Sequence, residues 1–321
     1  MNSNIQASTA QKSSIIYGVS FATSNNFNSV DANETAENIS NPAVKLLNTA
    51  EVKNIADKTP EISLISLDIE TGENLSHSTI STNIVENQQA LTKAVPKAFY
   101  QQPYERLTSL NTLSNGTFII SSVAHTQEGN FSRLLFINSD ESSQIQKSLK
   151  VWGFKQEDST LENLLETEDG KLVGIISLRG GIPPFELVTI DSETGKVNYD
   201  ELVLPGLLPD RRYSNLAQSP VDRKIYAVSM DHAHPVHLVQ LDMESHSGIT
   251  GKPLIIKLSE LHFNNKVLEN DLLSLAFSPL GKLYAIANVN REPINSLFTV
   301  DINTGEMVFV RQLAVTKIAF A

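Results

Sequence analysis

One local pattern returns along this chain and narrows what it can fold into. It is an apolar run spaced L-x-x-L, a tight turn, and a second apolar run of the G-K-L-x-x-I kind. The pattern stands at Leu107–Val123 (LTSLNTLSNGTFIISSV), Leu161–Leu178 (LENLLETEDGKLVGIISL), Tyr213–Met230 (YSNLAQSPVDRKIYAVSM) and Leu272–Val289. Each copy is followed, after a loop of variable length, by a third apolar run ending in an acidic turn. Those turns are Ile137–Glu141 (INSDE), Asp191–Gly195 (DSETG), Asp242–Gly248 (DMESHSG) and Asp301–Gly305 (DINTG). A fourth strand follows most of them, as at Lys196–Leu204, Leu254–Leu258 and Glu306–Leu313. The repeat length, roughly 50 to 60 residues, is in the range of propeller blades.

Each unit therefore reads as a four-stranded antiparallel meander. Its strands are apolar on both faces, as in Leu172–Ile176 and Leu283–Ala287. Such a sheet must be covered on both sides, and radial stacking of blades does this while leaving only short edges. In D-x-x-T-G the Asp side chain accepts from backbone N–H groups, and Gly supplies the positive φ of a tight turn. The two ends of the chain are complementary. Val315–Ala321 (VTKIAFA) matches a first strand with nothing after it. Ser14–Ser20 (SIIYGVS) matches a second strand with nothing before it, and Glu61–Gly72 (EISLISLDIETG) supplies a third strand and its turn. Joined, they complete a blade. The expected fold is an all-β propeller of five four-stranded blades, closed by the C-terminal strand; six blades is the alternative count.

The D-x-x-T-G turns and G-K-L-Y-type second strands resemble the β-propeller repeats of the YVTN, NHL and quinoprotein type. The resemblance covers nearly the whole chain apart from roughly 21–60 and 85–106. It implies a fold shared by many activities and carries no function by itself. No Trp-Asp blade ending occurs, which argues against a standard WD-repeat scaffold. One domain over residues 1–321 is expected. Residues 21–60 form an insertion with a short helix, Asn41 as its N-cap and Pro42 in its first turn. Residues 85–106 form a long connection between blades.

Composition excludes several classes. A net charge of −11 leaves no general basic surface for nucleic acid or an anionic membrane, so neither is expected as a partner. With no cysteine there is no disulfide, thiolate nucleophile or cysteine-ligated metal. The N-terminus shows no basic start and no apolar h-region. The expected compartment is thus cytoplasmic as numbered, and periplasmic or extracellular if a leader preceded it. The sequence contains no G-x-S-x-G elbow, P-loop or H-E-x-x-H.

In a meander, alternate connections lie on the same side. The second-to-third loops and the connections between blades are the long ones, so function is expected on their shared face. Two clusters stand out there. Asp231–His237 (DHAHPVH) offers Asp231, His232 and His234 as metal ligands, imidazole and carboxylate being suitable for zinc, iron or copper. The alternative is a polar loop whose imidazoles cap backbone groups or face water. Arg106, Arg179, Arg211, Arg212 and Arg291 all read as loop residues of the same face, able to take a carboxylate or phosphate by bidentate hydrogen bonds. The alternative for them is pairing with their neighbours Glu105, Asp210 and Glu292. The candidate ligand-binding residues are Arg106, His125, Arg179, Arg212, Asp231, His232, His234 and Arg291, with Asp231, His232 and His234 also the candidate metal set. Trp152, Phe154, Tyr100, Tyr104 and Tyr213 are candidates for stacking on sugars, or else packing at blade junctions. No pair among Glu157, Asp158, Asp210, Asp231, Glu269, Asp271 and Glu292 is singled out for glycoside cleavage.

The expected function is non-catalytic binding of a small polar or anionic molecule, or of a partner protein, at the central mouth, by a monomer. The alternative is a metal-dependent hydrolase, lactonase-like or glycoside-cleaving, at the same mouth. No cofactor is identified, and whether the protein is an enzyme stays open at this point. A pure interaction scaffold would instead show an exposed apolar patch.

Overall fold

In the computed structural model the described residues are 15–21, 61–81, 104–126, 129–138, 144–178, 181–199, 206–230, 235–246, 253–269, 272–289 and 294–320. Among them the regular structure is β. The chain opens with β1 (Ile15–Phe21), β2 (Glu61–Asp68) and β3 (Asn74–Ser81). A second set is β4 (Tyr104–Thr112), β5 (Phe118–Thr126), β6 (Gly129–Ile137) and β7 (Ile145–Lys150). A third is β8 (Thr160–Glu166), β9 (Leu172–Leu178), β10 (Ile182–Ile190) and the short β11 (Val197–Asn198). A fourth is β12 (Arg212–Gln218), β13 (Ile225–Met230), β14 (Val236–His246) and β15 (Pro253–Glu260). After a small hairpin, β16 (His262–Phe263) and β17 (Lys266–Val267), come β18 (Ser274–Phe277), β19 (Leu283–Ala287), β20 (Ser296–Val300) and β21 (Met307–Gln312). The last strand is β22 (Lys317–Phe320).

Each set is an antiparallel sheet. The first blade has the order β22-β1-β2-β3, with Ile16 opposite Phe320 and Val19 opposite Lys317. This is the five-bladed propeller closed by its C-terminal strand. The innermost strands touch in the ring order β4, β8, β12, β18, β22 and back to β4.

Why the strands are apolar on both faces is answered by the core. The buried residues fall into clusters at the blade junctions. Val19, Ile62, Leu107 and Phe118 join the first and second blades; Leu134, Leu161 and Ile176 join the second and third. Ile175, Tyr213 and Ala227 join the third and fourth, while Val228, Leu238, Ala285 and Phe298 join the fourth and fifth. Ile16, Tyr284, Ile286 and Ile318 close the circle. Only outer strands such as β7 alternate between half-buried and exposed residues, because one of their faces meets water.

The ring is also sewn at its axis by polar side chains. Aligned at L-x-x-L, the third position of the inner strands carries Ser109, Asn163, Asn215, Ser274 and Lys317. Asn163 is buried; its Nδ2 donates to the Thr108 carbonyl of one neighbour (3.1 Å), and its Oδ1 accepts from Leu216 N of the other (2.8 Å). Asn215 Nδ2 donates to Leu272 O (2.7 Å), Ser274 Oγ accepts from Ile318 N (3.0 Å), and Lys317 Nζ donates to Leu273 O. In a sheet stack with apolar faces, these bonds satisfy inner-strand groups that water does not reach.

The acidic turns form as the pattern predicts at Asp68, Asp191 and Asp301. Asp191 Oδ1 accepts from Glu193 N, Thr194 N and the Thr194 hydroxyl. Those bonds, the hydroxyl foremost, hold its carboxyl below the usual range. The glycine that ends the turn has a second duty. Gly195 has φ +74° and lies against the neighbouring blade, where a Cβ would be 2.5 Å from the Lys150 carbonyl oxygen. Trp152 N donates to Gly195 O (3.1 Å) and Val197 N to Trp152 O (2.8 Å), which ties the end of the second blade to the turn of the third.

Several boundaries differ from expectation. β4 begins at Tyr104, so the connection expected over 85–106 gives its last three residues to the sheet. Phe21 likewise closes β1 ahead of the expected 21–60 insertion. Asp242–Gly248 is not a compact turn, because β14 runs through to His246 with a register shift between Asp242 and His246. Among the described residues of the expected strand Lys196–Leu204, β11 takes two. The β16–β17 hairpin was not anticipated; Asn264 and Asn265 both take positive φ, the turn that asparagine tolerates best after glycine. The predicted helix at Asn41 lies outside the described residues.

Candidate functional site

Two of the expected arginines lie in strands rather than loops. Arg106 sits in β4 and Arg212 opens β12, because the innermost strands extend further toward the long-connection face than their apolar cores suggest. Nor does Arg106 pair with its sequence neighbour. Residues 105 and 106 point to opposite faces of a strand, and the structure uses each in a different ion pair.

Arg106 reaches the third blade, where its Nη2 donates to both oxygens of Glu162 (2.8 and 2.7 Å). Glu162 occupies a bulge in β8, between the register pairs of Leu161 and Asn163, and Thr108 occupies the matching bulge in β4. A bulge re-aims the side chain it carries. Here it brings a carboxylate that is nearly buried toward a guanidinium that is one-third exposed (6% and 33%). Thr160 Oγ1 (2.5 Å) and Ser177 Oγ (2.9 Å) also donate to Glu162 Oε1, and Gly181 N donates to Ser177 Oγ (2.7 Å). The carboxylate is thus held by three side chains on two blades. The pair engages Nη2 of the arginine, whose side chain stays one-third exposed.

Glu105 turns the other way. It accepts from Arg133 Nε (2.6 Å) and Nη2 (2.7 Å) and from the Ser122 hydroxyl (2.5 Å), with side-chain exposures of 0% for Glu105 and 10% for Arg133. This is a bidentate ion pair inside the second blade, and its place is structural. On the same face Arg211 Nε is buried without a hydrogen-bond partner.

The other candidates are placed as follows. His125 lies in β5, paired with Tyr104 and Asn130. Arg179, Asp231, His232, His234 and Arg291 lie outside the described residues, as do the acids Asp271 and Glu292 and the aromatic Tyr100. Among the stacking candidates Tyr213 is fully buried in a junction core and Phe154 packs against another. Trp152 is half exposed (48%), its Nε1 donating to Thr194 O (3.0 Å) and Lys196 lying over its ring.

A cavity of about 400 Å³ lies at the opposite end of the ring from the long connections. It is lined by the final residues of the innermost strands and by the first-to-second turns that follow them, among them Thr112, Glu166, Gln218, Phe277 and Phe320. Those five residues share the sixth position of the L-x-x-L alignment. Stacking the repeats by that position would have drawn attention to them; attention to long loops led away from them. Glu162 was missed for a related reason. Its only signal is a charge at the second position, where the other units carry Thr, Ser or Leu.

No protein-family model matches the chain, and no curated protein sequence matches it. Among solved structures it is similar to the periplasmic gluconolactonase of Pseudomonas aeruginosa, at 10% identity over 83% of this chain and 81% of that one (TM-score 0.41). It is similar to TolB from Acinetobacter baumannii, at 13% identity over 89% of each (TM-score 0.33). It is also similar to regucalcin, a calcium-binding protein from Agrobacterium tumefaciens, at 13% identity over 80% and 70% (TM-score 0.39). These are likenesses of the propeller fold alone.

Proposed function

We propose that this propeller is a non-catalytic binding protein that takes a small anionic molecule at the central mouth on its long-connection face. The observation that carries this reading is Arg106, pinned by Glu162 through one nitrogen while its remaining edge is accessible. A guanidinium held in place offers its remaining N–H donors with little further loss of side-chain freedom, which suits an oxygen of a carboxylate or phosphate. The buried, unpartnered Nε of Arg211 on the same face supports the reading, since a buried donor without an acceptor is uncommon. The ring closes with its own strands, which supports a monomer as the binding unit. A partner protein presenting an acidic side chain would meet the same mouth.

The test is isothermal titration with citrate, tartrate, inorganic phosphate and glucose 6-phosphate at about 0.1 M ionic strength. At least one is expected to bind, and Arg106→Gln, if its melting shows it to be folded, is expected to weaken that binding tenfold or more. A panel that gives no binding, or equal binding by the variant, would remove Arg106 from the site. Elemental analysis of the protein and of a His232→Ala/His234→Ala variant is expected to find no stoichiometric metal. One equivalent lost with the histidines would favour a hydrolase.

A further inference from the structure

The geometry points to a second ligand site, in the cavity on the short-turn face, with a preference opposite to that of the first: a small organic cation carrying an apolar body. At about 400 Å³ the cavity falls in the range that holds small ligands, roughly 300–1,000 Å³. Its walls are mostly apolar. Leu216, Leu275 and Ile318 of the inner strands line it together with Phe277 and Phe320. A few polar groups converge at the rim, the arrangement in which shape supplies affinity and a small number of hydrogen bonds fix orientation.

Those polar groups select the sign of charge. Among the described lining residues the charged ones are Glu166 and Glu168, and no lysine, arginine or histidine is with them. Glu168 is engaged outside the cavity by Arg223 Nε (2.8 Å). Glu166 is held instead by neutral donors: Ser114 N gives a bond of 2.5 Å to Oε2 and Ser114 Oγ one of 3.3 Å to Oε1. Its negative charge is therefore oriented but not neutralised, and each oxygen keeps accepting capacity. The apolar wall continues outward. Val221 and Leu280 tip two adjoining turns beside the mouth and are 72% and 75% exposed, and a Cβ on Gly281 would be 2.5 Å from Val221 Cγ2. An ammonium set against Glu166, with its hydrocarbon part toward the apolar lining, meets both the charge and the walls of the cavity.

Phenethylamine, benzyltrimethylammonium and 3-phenylpropionate are suitable probes, titrated into the full chain at neutral pH and followed by ligand-observed NMR and thermal shift. The two cations are expected to bind and the anion is not. Glu166→Gln is expected to lower the affinity for phenethylamine at least fivefold. Ala276→Met, which places a longer side chain on the lining, is expected to abolish binding of both cations. Arg106→Gln, on the other face, is expected to leave cation binding unchanged, so this site stands or falls apart from the anion site. Melting curves identify any variant that fails to fold. Absence of cation binding, equal binding of the anion, or undiminished binding by folded Glu166→Gln and Ala276→Met would each overturn the inference.

Discussion

Gly195 and Gly170 lie in the same blade, one in its acidic third-to-fourth turn and the other in its first-to-second turn. Their φ angles are nearly equal, +74° and +78°. Replacing either by Ala incurs the same backbone penalty, about 1 kcal/mol for a residue with Cβ in the left-handed region. Their surroundings differ. A Cβ at Gly170 meets nothing within 4 Å, whereas one at Gly195 would be 2.5 Å from Lys150 O and 3.5 Å from Leu149 Cβ. Relief of that contact requires the turn to retreat by most of an ångström. That movement strains the bonds from Trp152 N to Gly195 O and from Val197 N to Trp152 O, each worth roughly 0.5–1.5 kcal/mol. Gly170→Ala should then destabilise by about 1 kcal/mol and Gly195→Ala by about 2–4 kcal/mol. At roughly 2–4 °C per kcal/mol for a domain of this kind, the melting temperature should fall by ~3 °C and ~9 °C respectively. Urea unfolding followed by circular dichroism measures both. The single tryptophan adds a local reporter, because Trp152 Nε1 donates to Thr194 O in the affected turn. Its emission should shift in Gly195→Ala and stay unchanged in Gly170→Ala. Equal destabilisation of the two variants, or an unaltered Trp152 signal, would show that the blade contact is not what requires glycine.

Three further outcomes are expected. Asn163→Leu, which removes a buried side chain bonded to Thr108 O and Leu216 N, should destabilise by about 2–4 kcal/mol in urea titrations, since both backbone groups lose their partner. Glu105→Ala should lose about 3–5 kcal/mol by leaving Arg133 buried and unpaired, and the double variant Glu105→Leu/Arg133→Met should recover most of it. Deleting Val315–Ala321 should expose the Ile16–Val19 edge of β1 and produce oligomers on size exclusion.

The fold was largely legible because its determinants are local and repeated. The turn Asp191–Gly195 specifies its own hydrogen bonds, and the runs of β9 and β19 can only be buried on both sides. Ring closure was readable from one unpaired half-motif at each end. The sites were less legible, because they are made by strands that meet only after the ring forms. Nothing near Arg106 names Glu162 as its partner, and adjacency suggested Glu105 instead; a bulge of one residue decided the matter. The short-turn cavity is likewise invisible to loop length. It arises where five sixth-position residues converge, and only the stacked repeats display that column.

Closure by β22 has a consequence for synthesis. Thr316 bonds Val19 O across 297 residues of sequence. At about 5–20 residues per second the ribosome needs roughly 15–60 s to travel that distance. Through most of that interval β1 and β2 have been made while the strand that pairs with β1 has not. Blades two to four can assemble in turn as they emerge, but the apolar edge Ile16–Val19 waits until Lys317–Phe320 have been made. A nascent chain of this design is most vulnerable at β1, and the four-residue β22 decides when the exposure stops.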